Sequence, residues 1–398
     1  MRFTEFSGEW KEELLDRIAT LSKGIGIPKE QLSEDGDPCI LYGELYTKYK
    51  SEIIKQVESK TDIDGSKLKR SKANDVIIPC SGETAVDIAT ARCVPFDSIL
   101  LGGDLNVISL HKYDGAFMSY QLNGKRKYDI ARVAQGVSVV HLYGEHLKTI
   151  KTYNPTLPEQ QKIAILLSLL DERIATQNKI IDKLQSLIKG LVDSILENPS
   201  WEKVYLCSFM QFYSTNSLSW EQLSYSNGNV RNLHYGLIHG FQTSMIDSTL
   251  LPRILPNYLP KQYTVCQDGD VVFTDASEDT NEIGKAIELS NTINVKTVCG
   301  LHTIHGRDIK QNTIVGFKGF AFNSRYFHDQ VRRLAQGTKV YSITAKNLSS
   351  CYVYIPDMIK QENIVRLLNA YEENLSLNRT LLNKYEIQKQ YLLQQMLI

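Results

Sequence analysis

The sequence predicts a mixed α/β (α+β) chain in which two modules of short strands and helices are joined by two long helices. The first observation behind this prediction is an internal duplication, since residues 130–197 and 331–398 align without a gap at a constant offset of 201 positions. The second is an apolar heptad pattern in both copies, which is typical of coiled-coil helices. The third is a series of short β-like runs, bounded by turn residues, that fills the rest of the chain.

The two copies agree most closely towards their C-terminal ends. Weaker matches, such as Trp10 with Trp201, keep the same order upstream, so we expect the whole chain to be two copies of one unit. The modules between the matching parts differ, which indicates a shared scaffold carrying two diverged modules. The clearest pairs are Ala134-Gln135-Gly136 with Ala335-Gln336-Gly337, Pro155 with Pro356, and Gln160 with Gln361.

These patterns divide the chain into four segments. The modules are predicted at residues 1–154 and 198–354, and the long helices at residues 155–197 and 355–398. Helix-blocking prolines separate modules from helices; they are Pro155 and Pro158 before the first helix, Pro199 after it, and Pro356 before the second.

Within each module, a short helix is expected just before the repeated glycine, at residues 126–134 and 324–335. Gly136 and Gly337 would then act as C-terminal caps. The predicted strands include Val76-Ile77-Ile78, Ser98-Ile99-Leu100-Leu101, Val137-Ser138-Val139-Val140, Val271-Val272-Phe273 and Tyr352-Val353-Tyr354-Ile355.

The long helices each show a seam, a stripe of apolar residues spaced alternately by four and three positions. A single amide interrupts each seam at the same place, and we expect Gln177 and Asn378 to face each other and to fix the register. Two ordinary amphipathic core helices are the alternative, but such helices rarely sustain a 3.5-residue repeat for so long. The predicted seam consists of Ile163, Leu167, Leu170, Ile174, Gln177, Ile181 and Leu184 in the first helix and Leu368, Leu375, Asn378, Leu382 and Leu392 in the second.

Composition limits the possible functions. The chain has 398 residues, with 45 basic and 45 acidic side chains, which argues against holding nucleic acid by bulk charge alone. Seven cysteines without a C-x-x-C pair suggest reduced thiols in a cytoplasmic protein. No apolar run approaches membrane-spanning length, so no membrane partner is expected.

Basic residues cluster locally and at equivalent places in the two copies. Such clusters beside aromatic residues suit contacts with phosphates and base edges, although an isolated cluster is more often a solvated face without a partner. The recurrence favours a DNA role. The clusters comprise Lys69, Arg70 and Lys72, then Lys125, Arg126 and Lys127, and in the second copy Arg325, Arg332, Arg333 and Lys339.

Catalytic motifs are missing from the sequence. There is no G-x-x-x-x-G-K-[ST] phosphate loop and no nucleophile beside a base. His302 and His305 are three residues apart, but no cysteine or carboxylate at ligand spacing completes a metal site, so neither a metal nor a cofactor is predicted. A loop containing Asp275 and Glu282 lacks the lysine spacing of a metal-dependent nuclease, which leaves a degenerate nuclease as the least favoured interpretation.

Several stretches together resemble the specificity subunit of Type I restriction-modification systems. Each module is followed by proline, a Gln/Glu pair and a long helix, as in Leu157-Pro158-Glu159-Gln160-Gln161 and, with more divergence, Ile355-Pro356-Asp357-Met358-Ile359-Lys360-Gln361-Glu362. The Ala-Gln-Gly stretches resemble the family's turn near the end of each target-recognition domain. Gly300-Leu301-His302-Thr303-Ile304 and Glu278–Ala286 resemble segments of one such domain type, whereas the first copy has Gly102-Gly103-Asp104-Leu105 instead.

The resemblance implies a function for the whole chain. Each target-recognition domain would read one half of a split site in double-stranded DNA, and the two helices would lie antiparallel and set the gap. Two methyltransferase subunits and the restriction/translocase subunits would assemble on the chain, which would contribute no catalytic residue. The alternative is a coiled-coil protein–protein scaffold without DNA binding. Ser138, Lys285, His302, Arg307 and Thr338 complete the predicted DNA-binding set.

Overall fold

The computed structural model describes residues 2–241, 243–293 and 295–397, which form two compact units. The first unit holds residues up to 179 together with residues from 379 onward, and the second holds residues 180–378. Each unit therefore combines one module with a segment of each long helix. None of the helices in the described ranges is long and apolar enough to cross a membrane.

The first unit contains two four-stranded sheets and two smaller strand pairs. The central sheet has the order β2-β10-β6-β8, and the second has the order β3-β5-β4-β9. The strands are β1 (Lys11–Leu14), β2 (Ala19–Lys23), β3 (Leu32–Ser33), β4 (Asp37–Ile40), β5 (Lys60–Thr61), β6 (Asp75–Pro79), β7 (Ser81–Gly82), β8 (Arg92–Val94), β9 (Leu100–Leu101), β10 (Leu105–Leu110), β11 (Val140–His141) and β12 (Lys151–Asn154).

Helices cover the central sheet of the first unit. β6 carries the run Val76-Ile77-Ile78, which is buried on both faces of the sheet and therefore reads as a continuous apolar run. The helices are α1 (Leu15–Ile18), α2 (Glu44–Thr47), α3 (Ala85–Ile88), α4 (Gly115–Asn123), α5 (Lys127–Val133), α6 (Gly144–Lys148) and the long α7 (Leu157–Leu196), whose residues up to 179 belong to this unit.

The second unit repeats this plan with a five-stranded central sheet, β14-β23-β19-β21-β17, and a four-stranded sheet, β15-β18-β16-β22. The strands are β13 (Glu202–Tyr205), β14 (Met210–Tyr213), β15 (Leu223–Ser224), β16 (Arg231–Leu233), β17 (Met245–Asp247), β18 (Arg253–Ile254), β19 (Val271–Thr274), β20 (Ala276–Ser277), β21 (Ala286–Ser290), β22 (Thr297–Cys299), β23 (Thr303–Asp308), β24 (Tyr341–Ser342) and β25 (Tyr352–Ile355). The helices are α8 (Leu206–Phe209), α9 (Tyr235–Gly240), α10 (Phe317–Ala321), α11 (Arg325–Leu334), α12 (Ala345–Ser349) and the long α13 (Met358–Met396).

Equivalent strands pair in equivalent ways, as the duplication predicts. In each module the first strand pairs antiparallel with the last, so Lys11 lies opposite Asn154 and Glu202 lies opposite Ile355. Each module also contains an equivalent parallel strand pair, which is β4 with β9 in the first module and β16 with β22 in the second. These pairings bring the two ends of each module together at the start of a long helix.

The long helices begin close to the predicted positions. Pro158 does not block helix as predicted, because it lies in the first turn of α7, where its missing N–H costs no hydrogen bond. In the first unit, Ile163, Leu167 and Leu170 pack with Leu392 and Met396 in one core. Residue numbers rise along α7 as they fall along α13, so these segments are antiparallel, which agrees with the predicted fold class.

The predicted seam residues are buried or half-buried in the described helices. Gln177 itself is buried, although the expected meeting of Gln177 with Asn378 stays a prediction. In the second unit, Val192 and Leu196 of α7 share the module's core with Ile364 and Leu368 of α13. Each module is therefore continuous with the helical segments beneath it.

A lysine in the second helix ends in a buried ionic cluster of the first unit. The Lys389 Nζ atom lies 2.6 Å from a carboxylate oxygen of Glu52 and 2.6 Å from one of Asp171. The Tyr120 hydroxyl donates to the Asp171 carboxylate at 2.6 Å. Burial disfavours the charged amine, but attraction to the two carboxylates holds the pKa of Lys389 above its ordinary value. The cluster joins the module to both long helices.

Two predictions around the repeated glycines were also wrong. Gly136 and Gly337 do not cap helices, since the cap positions after α5 and α11 are occupied by Ala134 and Ala335 in extended conformation. The run from Val137 to Val140 is not a strand over its length, because only Val140 joins β11. The glycine turns the chain outward, so the apolar residues that follow it enter solvent.

Candidate nucleic-acid interface

Each module projects a tight hairpin loop directly after its short helix. In the first, Gln135 and His141 exchange backbone hydrogen bonds of 2.9 and 2.7 Å, and in the second Gln336 and Ser342 do so at 2.9 and 2.8 Å. We call residues 136–140 the first recognition loop and residues 337–341 the second. The loops have the same backbone frame in both modules, while their exposed side chains differ.

Glycine is required at the start of both recognition loops. Gly136 has a φ of 122° and Gly337 a φ of 135°, a region that side-chain-bearing residues rarely adopt. An added Cβ would also collide with the carbonyl oxygen of Val139 or Val340. The consequence is an abrupt outward turn that leaves the Val137 side chain 97% exposed.

A second turn also has the same backbone conformation but a different side chain in each module. Asp104 has a φ of 57° and His302 a φ of 55°. Their carbonyl groups accept hydrogen bonds from equivalent donors, the Cys80 and Asp275 backbone N–H groups. Asp104 is therefore the structural counterpart of His302, although the sequence comparison placed these two residues one position apart. The first module has a carboxylate where the second has an imidazole.

The second module surrounds His302 with aromatic and histidine rings. The Tyr235 ring lies 5.3 Å from that of His302 and 4.7 Å from that of His234, and the Trp220 ring lies 4.6 Å from that of His234. Burial lowers the pKa of His234, which favours the neutral form of this imidazole. Trp220 and His302 are exposed, which gives the cluster an accessible surface for stacking and hydrogen bonding.

The predicted cations Lys285 and Arg307 both have intramolecular partners. Lys285 donates to the His239 carbonyl at 3.1 Å and lies 3.2 Å from the Glu282 carboxylate. Arg307 is held by the buried Asp270 carboxylate at 2.7 Å, and this hydrogen bond raises its pKa. His302 itself lies 3.2 Å from an oxygen of Asp275. These contacts fix the orientation of the three side chains.

The cations around the recognition loops differ in availability. Arg332 lies 3.4 Å from the Asp329 carboxylate, and Arg325 lies 3.9 Å from it. Among the residues that the structure describes, Arg333 and Lys339 are exposed and make no ion pair. Thr338 is also exposed, so the second loop presents a hydroxyl and an ammonium group to solvent.

The first module shows the same division. The Arg126 guanidinium packs 5.1 Å from the Tyr153 ring and 3.1 Å from the Asp129 carboxylate, which buries much of the side chain. Lys125 and Ser138 are exposed, and Lys127 is half-buried at the start of α5. The predicted cluster upstream contributes an exposed Lys72 and a half-buried Lys69, whereas Arg70 is 2.6 Å from the Asp37 carboxylate.

Known proteins supply an independent comparison. Residues 8–186 match the family model described as "Type I restriction modification DNA specificity domain". The specificity subunit of the Type I restriction enzyme MjaVIII from Methanocaldococcus jannaschii is 22% identical over 333 residues, which cover 79% of this chain and 76% of that protein.

The chain is similar to the specificity subunits of Type I restriction-modification systems.

Solved structures of Type I systems share the fold of this chain. The S subunit of a Type I system from M. genitalium superimposes with a TM-score of 0.60 at 16% identity, covering 100% of this chain and 99% of that one. A chain from a study of Type I system assembly and conformational transition superimposes with a TM-score of 0.58 at 14% identity, covering 98% and 97%. The predicted fold class, two recognition modules on long antiparallel helices, is confirmed.

Sequence reasoning missed most of the ring cluster around His302. Trp220, Tyr235 and His239 join the ring cluster from segments distant in sequence from His302. One signal was present, because Tyr235-Gly236 repeats Tyr42-Gly43 of the first copy. Asp104 was visible only as a departure from the second module, and the structure identifies it as the residue that replaces His302.

Proposed function

We propose that this chain is the DNA-sequence-specificity subunit of a Type I restriction-modification complex, and that its two modules read the two halves of an asymmetric bipartite site. The single observation that carries the proposal is one backbone frame built twice with different exposed side chains, as at Asp104 and His302. Because the backbone is repeated, both modules can contact DNA in the same way. Because their exposed side chains differ, each module can recognise a different base sequence.

Within this proposal, the predicted DNA-binding residues divide by chemistry. Arg333, Lys339, Lys125 and Lys72 are exposed cations suited to phosphates, which position the protein without specifying sequence. His302, Thr338 and Ser138 are short polar side chains on turns, suited to base edges. Residues already held by a carboxylate, such as Arg307, would act mainly by supporting these turns.

The long helices would separate the two readers and set the distance between half-sites. We propose segment boundaries of 1–154 and 198–354 for the target-recognition domains, and 155–197 and 355–398 for the spacer helices. α7 has 40 residues, so it is about 60 Å long at ~1.5 Å per residue. Helix length would then control the gap and leave the half-sites unchanged.

The helices would also bind the catalytic partners. Ile165 and Leu169 of α7 are 60% and 52% exposed one turn apart, and Ile387 and Tyr391 of α13 form a similar exposed pair. Exposed apolar residues in one stripe are typical of interaction surfaces. We propose that two methyltransferase subunits dock on the helices, that restriction/translocase subunits join them, and that catalysis resides in these partners rather than in this chain.

A coiled-coil scaffold without DNA binding is the second candidate. It is favoured by the equal numbers of basic and acidic residues. The two candidates differ in what the modules contact, since a scaffold would need no sequence preference in either module.

The deciding experiment is a module exchange in the complex with the methyltransferase subunits. Residues 198–354 are replaced by the corresponding module of another family member, and methylation is mapped on a library of split sites. We expect one half-site to change while the other half-site and the gap persist. A change in both half-sites, or methylation without any sequence preference, would reject the two-reader proposal. The unmodified chain with its partners is the control.

A further inference from the structure

Three metal-ligating side chains meet inside the second module. Cys266 precedes β19, Cys299 ends β22 and His305 lies in β23, and their exposed fractions are 2%, 2% and 0%. One potential ligand atom from each lies within 4.8 Å of the others, and the two sulfur atoms are 3.4 Å apart. The cluster draws on residues distant in sequence, which is why ligand spacing did not reveal it.

The His305 imidazole is oriented as it is in protein zinc sites. Its Nε2 atom is 2.7 Å from the Asp270 carboxylate, which also accepts hydrogen bonds from Arg307. Because the Asp270 carboxylate already accepts hydrogen bonds from the Arg307 guanidinium, it is the acceptor for the Nε2 proton. The Nδ1 atom then carries a lone pair, and it is buried without a hydrogen-bond partner. A carboxylate–histidine pair of this kind orients metal-binding histidines.

The fold itself does not require these residues. By equivalent backbone hydrogen bonds and strand register, Ser71, Leu101 and Val107 occupy the three positions in the first module. That module forms the equivalent strand pairs with a hydroxyl and two apolar side chains at these positions. The two thiols and the imidazole are therefore specific to the second module. They leave the His305 Nδ1 atom buried without a hydrogen-bond partner.

We propose that Cys266 Sγ, Cys299 Sγ and His305 Nδ1 bind a zinc-class divalent cation. On binding, each thiol releases its proton to solvent and forms a sulfur–metal bond, and the imidazole donates its free lone pair. Two thiolates and one divalent cation carry no net charge, so the interior holds no unbalanced charge. Zinc–sulfur bonds of ~2.3 Å in tetrahedral geometry separate two sulfurs by about 3.8 Å, close to the distance present.

The ligands would clamp the turn that carries His302. Cys299 and His305 lie three residues before and three residues after it, so a common metal fixes both ends of the turn. The same bond set links β22 of one sheet to β23 of the other. The effect on DNA reading rests on the proposed function, whereas the metal site does not.

The test begins with metal content. The full chain is purified under reducing conditions, dialysed against zinc(II), and analysed by elemental mass spectrometry with no DNA present. We expect about one zinc per chain, lost in Cys266→Ser and in Cys299→Ser and retained in Cys207→Ser, whose cysteine is exposed. Cobalt(II) in place of zinc should give a thiolate-to-cobalt absorption band that the same two variants lose.

A second variant distinguishes loss of metal through removal of the ligands from loss of metal through misfolding. This triple variant carries the residues of the first module, namely Cys266→Ser, Cys299→Leu and His305→Val. It should fold, with an unchanged circular dichroism spectrum, and it should bind no metal. Three results would overturn the proposal: no zinc in the unmodified chain, zinc retained by the triple variant, or a Cys266–Cys299 disulfide in the purified chain. Because metal content is measured without DNA, these results leave the proposed reading function to its own experiment.

Discussion

Gln160 and Gln361 make the same pair of contacts in the two units. The Gln160 amide donates to the Pro155 carbonyl at 2.8 Å and accepts from the Asp114 backbone N–H at 2.9 Å. The Gln361 amide donates to the Pro356 carbonyl at 2.9 Å and accepts from the Ile314 N–H at 2.9 Å. Both amides are buried, so each fastens the first turn of a long helix to the module above it.

Replacing Gln361 by alanine should therefore destabilise the second unit. The change leaves the Ile314 N–H and the Pro356 carbonyl buried without a partner, at a cost of about 1–3 kcal/mol. Denaturant unfolding measures this loss. Gln388→Ala, at an exposed position of the same helix, should change stability by less than about 0.5 kcal/mol. Equal effects of the two substitutions would contradict the fastening role.

The buried cluster around Lys389 predicts a larger effect. Lys389→Met removes the cation and leaves Glu52 and Asp171 as neighbouring buried acids, which should cost about 3–5 kcal/mol. Lys384→Met, five residues earlier on an exposed face of α13, is the matched control. Guanidinium unfolding of both variants gives the comparison. A loss under about 1 kcal/mol for Lys389→Met would mean that the cluster is solvated.

Glu372 predicts a stability that falls as pH rises. Burial raises the pKa of this α13 carboxyl to about 7, although hydrogen bonds from Ser244 oppose the shift. The folded state therefore keeps a proton that the unfolded chain loses near pH 4.3, so stability should decline by about 3 kcal/mol between about pH 4 and pH 7.

Glu372→Gln tests this dependence, since it retains an acceptor for Ser244 and cannot ionise. Its stability should lack the decline and should exceed that of the unmodified chain above pH 8. Glu373→Gln, at the exposed neighbouring position, should keep the original pH profile. Parallel profiles for the unmodified chain and Glu372→Gln would show that the carboxyl titrates normally.

Replacing a glycine by alanine should have opposite effects on stability in the second recognition loop and in the long helix α7. Gly337→Ala forces a side chain into a left-handed conformation and against the Val340 carbonyl, so it should distort the loop, cost about 1–3 kcal/mol and weaken DNA binding. Gly190→Ala, in α7 with open space around it, should stabilise the chain by about 1 kcal/mol. Thermal unfolding and binding titrations of the two variants provide the readout.

Arg333 predicts a uniform loss of DNA affinity. Arg333→Ala removes one proposed phosphate contact, so binding to all sequences should weaken alike, and the slope of log affinity against log salt should fall by about one. Lys183→Ala, an exposed cation on α7 away from the recognition loops in sequence, serves as the control. A change in the preferred bases would instead make Arg333 a reader of sequence.

The parts of the fold that depend on local sequence were predictable. A 3.5-residue repeat is visible along one helix, and the run at β6 is visible along one strand, so both were placed correctly. The strand expected at Val137–Val140 was wrong, because one glycine conformation redirected an apolar run into solvent.

The side-chain clusters were less predictable, because their residues come from segments that are far apart in the sequence. Lys389 is a basic residue of the second long helix, and only the fold reveals that Glu52 and Asp171 contact it. Cys266, Cys299 and His305 similarly have no spacing pattern, since strand order rather than sequence distance brings them together. Loop side chains such as Lys339 were identified from charge alone, which cannot distinguish a free cation from a paired one.

The ionic cluster has a consequence for the order in which the protein matures on the ribosome. Glu52 and Asp171 are synthesised early, but the cation that neutralises them is residue 389, which follows the whole second module in the sequence. The first unit therefore lacks this cation until all residues of the second unit have been synthesised. The module that emerges first therefore gains its last buried ion pair only after the second module has been synthesised.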